Sequence, residues 1–237
     1  MKRVALMFAF LSLLLVFNSC NKVKGKGDVV SETRNITGYT AISLSMEGDV
    51  YFTPDSVNSI EIQAQQNILD VIESQVEGGS LVLKIQDHTV LGKHDPIRIY
   101  IHAPSINGLD VSGSGNIMVG SLMDQQGLHY NVSGSGNITI DELKSKQLDG
   151  RISGSGNITG SAGTSDIEYL TISGSGNLNF LNVMADSVYV TISGSGDVSA
   201  YAVKYLDVTI SGSGNVRYNG NPVINQHISG SGNVTHI

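Results

Sequence analysis

A serine held between two glycines recurs seven times in this chain of 237 residues, and that pattern is the first to test for chemistry. The nucleophile elbow of serine hydrolases is G-x-S-x-G at a strand-to-helix turn, with a histidine and an acid brought to it by the fold. Here the serine is multiplied, not singled out. SGSGN stands at 112–116, 133–137, 153–157, 173–177, 211–215 and 229–233, with SGSGD at 193–197. One nucleophile suffices for a reaction, so seven copies argue for structure and against a catalytic serine. Calcium-binding rolls are the second chemistry of Gly-rich repeats, but they use a nine-residue unit with an aspartate in every turn. One aspartate in seven copies does not supply those ligands.

Paired carboxylates are the third option, because glycoside hydrolysis needs two of them at a set separation. Asp110 lies two residues before its SGSG, whereas Asp149 and Asp207 lie four before theirs, so no acidic pair falls in register. The six histidines, at 88, 94, 102, 129, 227 and 236, show no metal-ligand spacing. His88 and His94 belong to a stretch without periodicity and are expected to be solvated. We therefore expect no catalytic residue, no metal and no cofactor. Recognition remains: regular outward rows of serine and asparagine could match a periodic ligand, a glycan chain or ice.

The elements that would carry these rows follow from the spacing. The first serines are 21, 20, 20, 20, 18 and 18 residues apart, a repeat period. Around Ser173, counting by twos puts Ile172, Gly174, Gly176, Leu178 and Phe180 on one side and Ser173, Ser175, Asn177 and Asn179 on the other. Further apolar groups mid-repeat, Leu181, Val183 and Met184, then Val188 and Val190, give roughly three extended segments per period. A single such coil buries too few side chains to offset the entropy of ordering it, so coils must stack and share one core. The fold expected is all-β: a right-handed parallel β-helix of about 18–21 residues per coil, right-handed because parallel crossovers are so.

Stacking assigns the repeat its residues. Ser112, Ser133, Ser153, Ser173, Ser193, Ser211 and Ser229 should form one ladder, and Asn116, Asn137, Asn157, Asn177, Asp197, Asn215 and Asn233 another. Glycine permits close packing of coils and backbone conformations that other residues resist. Asparagine tolerates the left-handed region, and its amide can bond to the residues above and below.

The N-terminal half carries a worn copy of the unit. Residues 42–52 align with 190–200 at the apolar positions and at the Gly-Asp pair, Gly48-Asp49 over Gly196-Asp197. The 67 residues from Ser45 to Ser112 leave room for a little over three turns of the stack with one longer excursion. Strands are expected at 59–64, 80–85 and 97–102. The stretch 67–76 suits a short helical turn or a strand, and 87–95 an exposed loop. One body spans 35–237, with degenerate coils at 35–105 and regular ones at 106–237.

Composition limits the partners. Beyond residue 19 there are 12 basic and 21 acidic groups, a net charge of −9, with no basic stripe for a phosphate backbone, which excludes nucleic acid. Lys2 and Arg3 precede an apolar run at 4–17 that is shorter than the roughly twenty residues a spanning helix needs, so 1–19 is expected to be a signal peptide. The single cysteine, Cys20, follows directly, and Leu15-Val16-Phe17-Asn18-Ser19-Cys20 resembles the signal of bacterial lipoproteins, cut before a cysteine that receives lipid. Residues 20–34 would then be the lipidated cysteine and a flexible basic tether. Acidic residues tend to follow the cysteine in surface-exported lipoproteins; lysines here favour the periplasmic face of the outer membrane over the cell surface.

The signal, the Glu47-Gly48-Asp49-Val50 segment, the strand Ser80-Leu81-Val82-Leu83-Lys84-Ile85, the run from Ile97 to Pro104 and the SGSGN series together resemble the putative auto-transporter adhesin, head GIN domain family of Bacteroidetes. The resemblance runs from about Asn35 to Ile237. It implies a right-handed β-helix, a cell-envelope location and an adhesive or binding role, and it carries over no catalytic residues. The reading is a non-enzymatic envelope lipoprotein, anchored to a membrane at Cys20, whose solenoid is a scaffold for a glycan or an envelope protein. The competing class is a carbohydrate-active β-helix enzyme. The last repeat ends at His236-Ile237, and its open edge is expected to pair with another copy or a partner.

Overall fold

The computed structural model describes residues 21–237; the expected signal peptide and Cys20 lie outside the described residues. The chain forms a β-solenoid of about six turns. Each regular coil has three extended segments, because apolar residues alternate with polar ones in three short runs. In the coil beginning at Asn137, Ile138 and Ile140 fill the core from the first, Leu143 from the second, and Leu148 and Ile152 from the third.

Coil stacks on coil through parallel ladders. Ile117 pairs with Ile138, Ile138 with Ile158, Ile158 with Leu178, Leu178 with Val198, Val198 with Val216 and Val216 with Val234. Val132, Ile152, Ile172, Ile192, Ile210 and Ile228 form a second continuous column. Like side chains sit over like, and the interior is one hydrophobic core from Tyr39 to Tyr218.

Departures from a twenty-residue period collect at one corner. The extra residue of the first regular coil enters between Leu122 and Gln125, where Asp124 takes a φ of 56°. The two residues lost further on are the net of three lost between Phe180 and Met184, against Ala200–Tyr201, and one regained between Ala185 and Ser187, against Ala202–Tyr205. The larger changes thus lie between the first and second segments. The SGSG turn lies at another corner, between the third segment and the next first one.

The N-terminal part differs from the expectation of coils in chain order. Ala41–Leu44 and Asp49–Pro54 do form a copy of the unit, but they lie directly against the first regular coil: Leu44 pairs with Val111 and Val50 with Ile117. No turns intervene. The intervening chain instead passes to the opposite side, where Ser80–Ile85 pairs with Ala41–Leu44 and Arg98–Ala103 with Asp49–Pro54, both in parallel. A strand has two edges, and alternation alone does not say which neighbour takes which.

That outer end is closed by antiparallel chain. Ser59–Gln65 lies between Val29–Arg34 and Arg98–Ala103, and Ile72–Glu77 forms a hairpin with Ser80–Ile85. The stretch 67–76 is both of the things its pattern allowed: the helix Gln66–Leu69 buries Ile68 and Leu69, and a strand begins at Ile72. Arg34 clips the closure, donating to the carbonyls of Ile72 and Leu69 and to Ser74 Oγ at 2.7, 3.1 and 2.8 Å.

Residues expected to be a loose tether are held. Asn21–Val23 pairs in parallel with Thr89–Leu91, the Gly25 amide donates to Lys93 O and the Lys26 amide to Asn67 Oδ1. The expected loop at 87–95 therefore contains a strand, which neither partner's short pattern announced.

Candidate functional site

The serine and asparagine rows stand at the SGSG corner. Ser112 Oγ lies 2.9 Å from Ser45 Oγ, and the amides of Ser133, Ser153, Ser173, Ser193, Ser211 and Ser229 donate to carbonyls of the coil beneath. The asparagines bond along the stack. Asn116 Nδ2 donates to Asp49 Oδ1, Asn137 to Asn116, Asn157 to Asn137 and Asn177 to Asn157, all at 2.8 or 2.9 Å. Asp197 has no side-chain N–H, so it donates only its backbone amide to Asn177 Oδ1; its own Oδ1 accepts from Asn215, which in turn accepts from Asn233. Asp49, at the head of the row, extends the column by one member. These amides are spent on one another, which leaves the row little to offer a ligand.

The glycines are required by close approach. A Cβ on Gly134, Gly154, Gly174 or Gly194 would overlap the carbonyl oxygen of the equivalent glycine one coil below, and Gly136, Gly156, Gly176 and Gly196 are crowded in the same way. Backbone freedom is not the reason: of the glycines in the seven pentapeptides only Gly230 has a positive φ, and none of the stacked asparagines has one.

The third segments present a different surface. Four residues before each SGSG, the outward side chains run Asp149, Tyr169, Tyr189, Asp207 in one register column. The Tyr169 and Tyr189 rings stack with centroids 5.2 Å apart, Tyr205 leans on Tyr189 at 5.8 Å, and both stacked tyrosines are more than one-third exposed. Arg151 holds Asp149 with two hydrogen bonds, at 2.8 and 2.7 Å. Asn131 donates to Asp110 at 2.9 Å. Beside these groups lies an open groove of about 320 Å³ lined by Asp110, His129, Asn131, Asp149 and Arg151. Asp149 and Asp207 share a column but stand three coils apart, about 14 Å at a strand spacing of about 4.8 Å, beyond the separation of a glycosidase pair.

The model of the putative auto-transporter adhesin, head GIN domain family matches residues 38–222. The chain belongs to that family. Solved structures share the fold: a putative adhesin from Bacteroides fragilis, 24% identical, superposes with a TM-score of 0.84 over 91% of this chain and 100% of its own. A putative lipid binding protein from Parabacteroides distasonis is 24% identical, with a TM-score of 0.77 over 92% of this chain and 100% of its own. A putative adhesin from Parabacteroides merdae gives 23% and 0.74 over 92% and 99%. A search of curated proteins finds no match.

In this head GIN domain protein the histidines and one carboxylate are placed in ways their spacing did not show. His94 is packed, not solvated: its side chain is 10% exposed, with Nε2 3.3 Å from Glu47 Oε1 and Nδ1 2.6 Å from Asp95 O. His88 is exposed in a turn with φ of 60°. Among the described residues no group of histidines, cysteines and carboxylates is clustered as for a metal. Glu168 is fully buried in the column Leu148, Glu168, Val188, Leu206. Ser165 Oγ donates to its Oε1 at 3.2 Å, Oε2 has no partner among the described residues, and desolvation pushes its pKa up to about 8. Buried Ser145, whose Oγ is also without a partner, lies one coil below Ser165.

Sequence reasoning passed over Tyr169, Tyr189 and Glu168, although a signal existed. The tyrosines share the phase of Asp149 and Asp207, and Glu168 is the one charge in the apolar column five residues before each SGSG. Comparing every phase of the repeat, and not the conspicuous pentapeptide alone, exposes both.

Proposed function

We propose that the chain is a non-enzymatic binding scaffold of the bacterial cell envelope, an adhesin in the broad sense, anchored through lipid on Cys20 at the outer membrane, the periplasmic face being favoured. The observation that carries the scaffold is the unbroken register from Asp49 to Asn233, which makes a stiff body with outward columns at constant spacing. Rigid columns bind without an ordering cost, which favours recognition of a repeating or extended ligand.

The binding face we favour is that of Tyr169, Tyr189 and Arg151, since its aromatic edges and polar groups meet solvent while the asparagine row is internally bonded. A glycan chain or an envelope protein is the ligand class. A glycan array and an envelope pull-down with lipidated protein test this. Specific capture that Tyr169→Ala/Tyr189→Ala reduces at least tenfold is the expected result. Capture unaffected by that pair moves the binding face elsewhere, and release of reducing ends or unsaturated products from a bound glycan would replace the scaffold reading with an enzymatic one.

A further inference from the structure

Beyond residue 19 the chain carries a net charge of −9, yet four of its eight lysines there, Lys22, Lys24, Lys26 and Lys93, gather at one place. The cause is local geometry. Pairing of Asn21–Val23 with Thr89–Leu91 extends the backbone, and the Gly25 and Lys26 amides continue to be held by Lys93 O and Asn67 Oδ1. In extended chain alternate residues face alternate sides. Val23 accordingly packs on the core edge and Gly25 lies tight against the Gln65 side chain, while Lys22, Lys24 and Lys26 all face solvent. Exposed Lys93 stands across the pair, and Val90, 49% exposed, sits opposite Lys22.

Among the described residues none of these four ammonium groups has a carboxylate within 4 Å; the ion pairs of lysine are Lys84 with Glu73, Lys144 with Asp124 and Lys204 with Asp186. The nearest acids in the chain are turned to other uses or stand apart: Asp95 accepts from Gln65 Nε2 at 2.7 Å, and Asp28 and Asp87 bracket the row without an ion pair. The row begins two residues after Cys20.

We propose that this ordered lysine row is a membrane-docking face, which seats the closed N-terminal end of the solenoid on anionic phospholipid. The proposal rests on the reading of Cys20 as the lipid anchor. A lipidated Cys20 leaves no slack, since Asn21 already donates its amide to His88 O at 2.7 Å. The body then stands on the bilayer at fixed orientation instead of swinging on a leash, with Lys22, Lys24, Lys26 and Lys93 at the phosphates and Val90 at the interface. Juxtamembrane basic residues act within a Debye length of the surface, so the body must be this close for them to count.

The test uses the chain from residue 20 with Cys20→Ser, so that binding does not depend on acyl chains. It is sedimented with phosphatidylcholine vesicles, with and without about a third phosphatidylglycerol, at low and physiological salt. The expected result is binding to the anionic vesicles only, weakened by salt and lost by about fivefold for each lysine replaced in Lys22→Gln, Lys24→Gln, Lys26→Gln, Lys93→Gln combinations. Replacing the other four lysines instead, Lys84→Gln/Lys144→Gln/Lys146→Gln/Lys204→Gln, changes the net charge by the same amount and should leave most of the binding. Equal sedimentation with both vesicle types, or an undiminished quadruple variant, overturns the docking face. The mass of the mature N-terminal peptide reports separately on whether Cys20 carries lipid, so failure of the anchor and failure of the row are told apart.

Discussion

Two corners of the same coil behave oppositely. At the SGSG corner successive coils approach until glycine carbonyls fill the space a Cβ would need, and the side chains that follow bond to their own kind above and below. At the corner between the first and second segments one coil gains a residue at Met123-Asp124, later coils lose three, and the charged groups Asp124, Lys144, Lys146 and Asp166 face solvent around a nearby cleft. Repetition is therefore a packing constraint, strict where backbone meets backbone and relaxed where side chains meet water. It also explains why the conspicuous motif is a poor guide to binding: residues that must repeat to stack are not free to specialise.

The largest expected effect comes from placing a methyl in the strict corner. Gly156→Ala puts a Cβ into Gly136 O and should cost more than about 4 kcal/mol or prevent folding, whereas Gly120→Ala, with open space around its Cβ position, should change stability by less than about 0.5 kcal/mol. Denaturant unfolding of the two variants makes the comparison directly. Equal costs would show that close approach is not what holds glycine at the SGSG corner.

Glu168 tests the core that both corners enclose. Its pKa is raised in the fold to about 8 from an ordinary 4.5, so its contribution is fully present below about pH 4.5 and is lost as pH rises through about 8. Stability attributable to this group should fall across that window, by at most about 1.4 kcal/mol per pH unit. Glu168→Leu, matching Leu148 and Leu206 in its column, should remove that slope and raise stability at pH 8 by about 2 kcal/mol or more. A slope unchanged in the variant would assign the pH dependence to other groups.

The asparagine row should give smaller changes. Asn157→Ala removes the donor to Asn137 and the acceptor for Asn177 and should cost about 1 to 2 kcal/mol. Asp197→Asn restores the missing donor toward Asn177 Oδ1 and should stabilise by about 0.5 to 1 kcal/mol, measured as a shift of the urea midpoint at constant m. Least affected should be the tolerant corner, where Lys144→Ala breaks the exposed pair with Asp124 and should leave the urea midpoint unchanged within error. A midpoint shift there as large as that of Asn157→Ala would erase the contrast between the corners.

The legibility of the chain follows the same division. The period of the SGSGN series and the alternation around it were enough for a stacked coil, because identical units have one efficient way to bury identical faces. Ser45 and Asp49 were recognisable as members of the rows for the same reason, and they bond to Ser112 and Asn116. The tyrosine face lies in the phase of the repeat, but only two positions of its column carry a tyrosine, so it does not stand out as the pentapeptide does. The chain order of the N-terminal strands was not readable at all: Ile60, Ile62, Leu81, Leu83, Ile99 and Ile101 alternate alike whether their strands run parallel or antiparallel to the stack.

By itself, then, the amino-acid order determined that coils of about twenty residues stack in register, which residues line the shared interior, and that glycine, serine and asparagine recur at the joints. Only the tertiary structure decided which edge of the first coil each distant strand would occupy, that Lys22, Lys24 and Lys26 would be drawn out along a pinned segment, and that Glu168 would be sealed inside. The physical reason is that alternation records which side of a strand meets the core, while edge choice and burial of a lone charge depend on contacts between segments far apart in the chain.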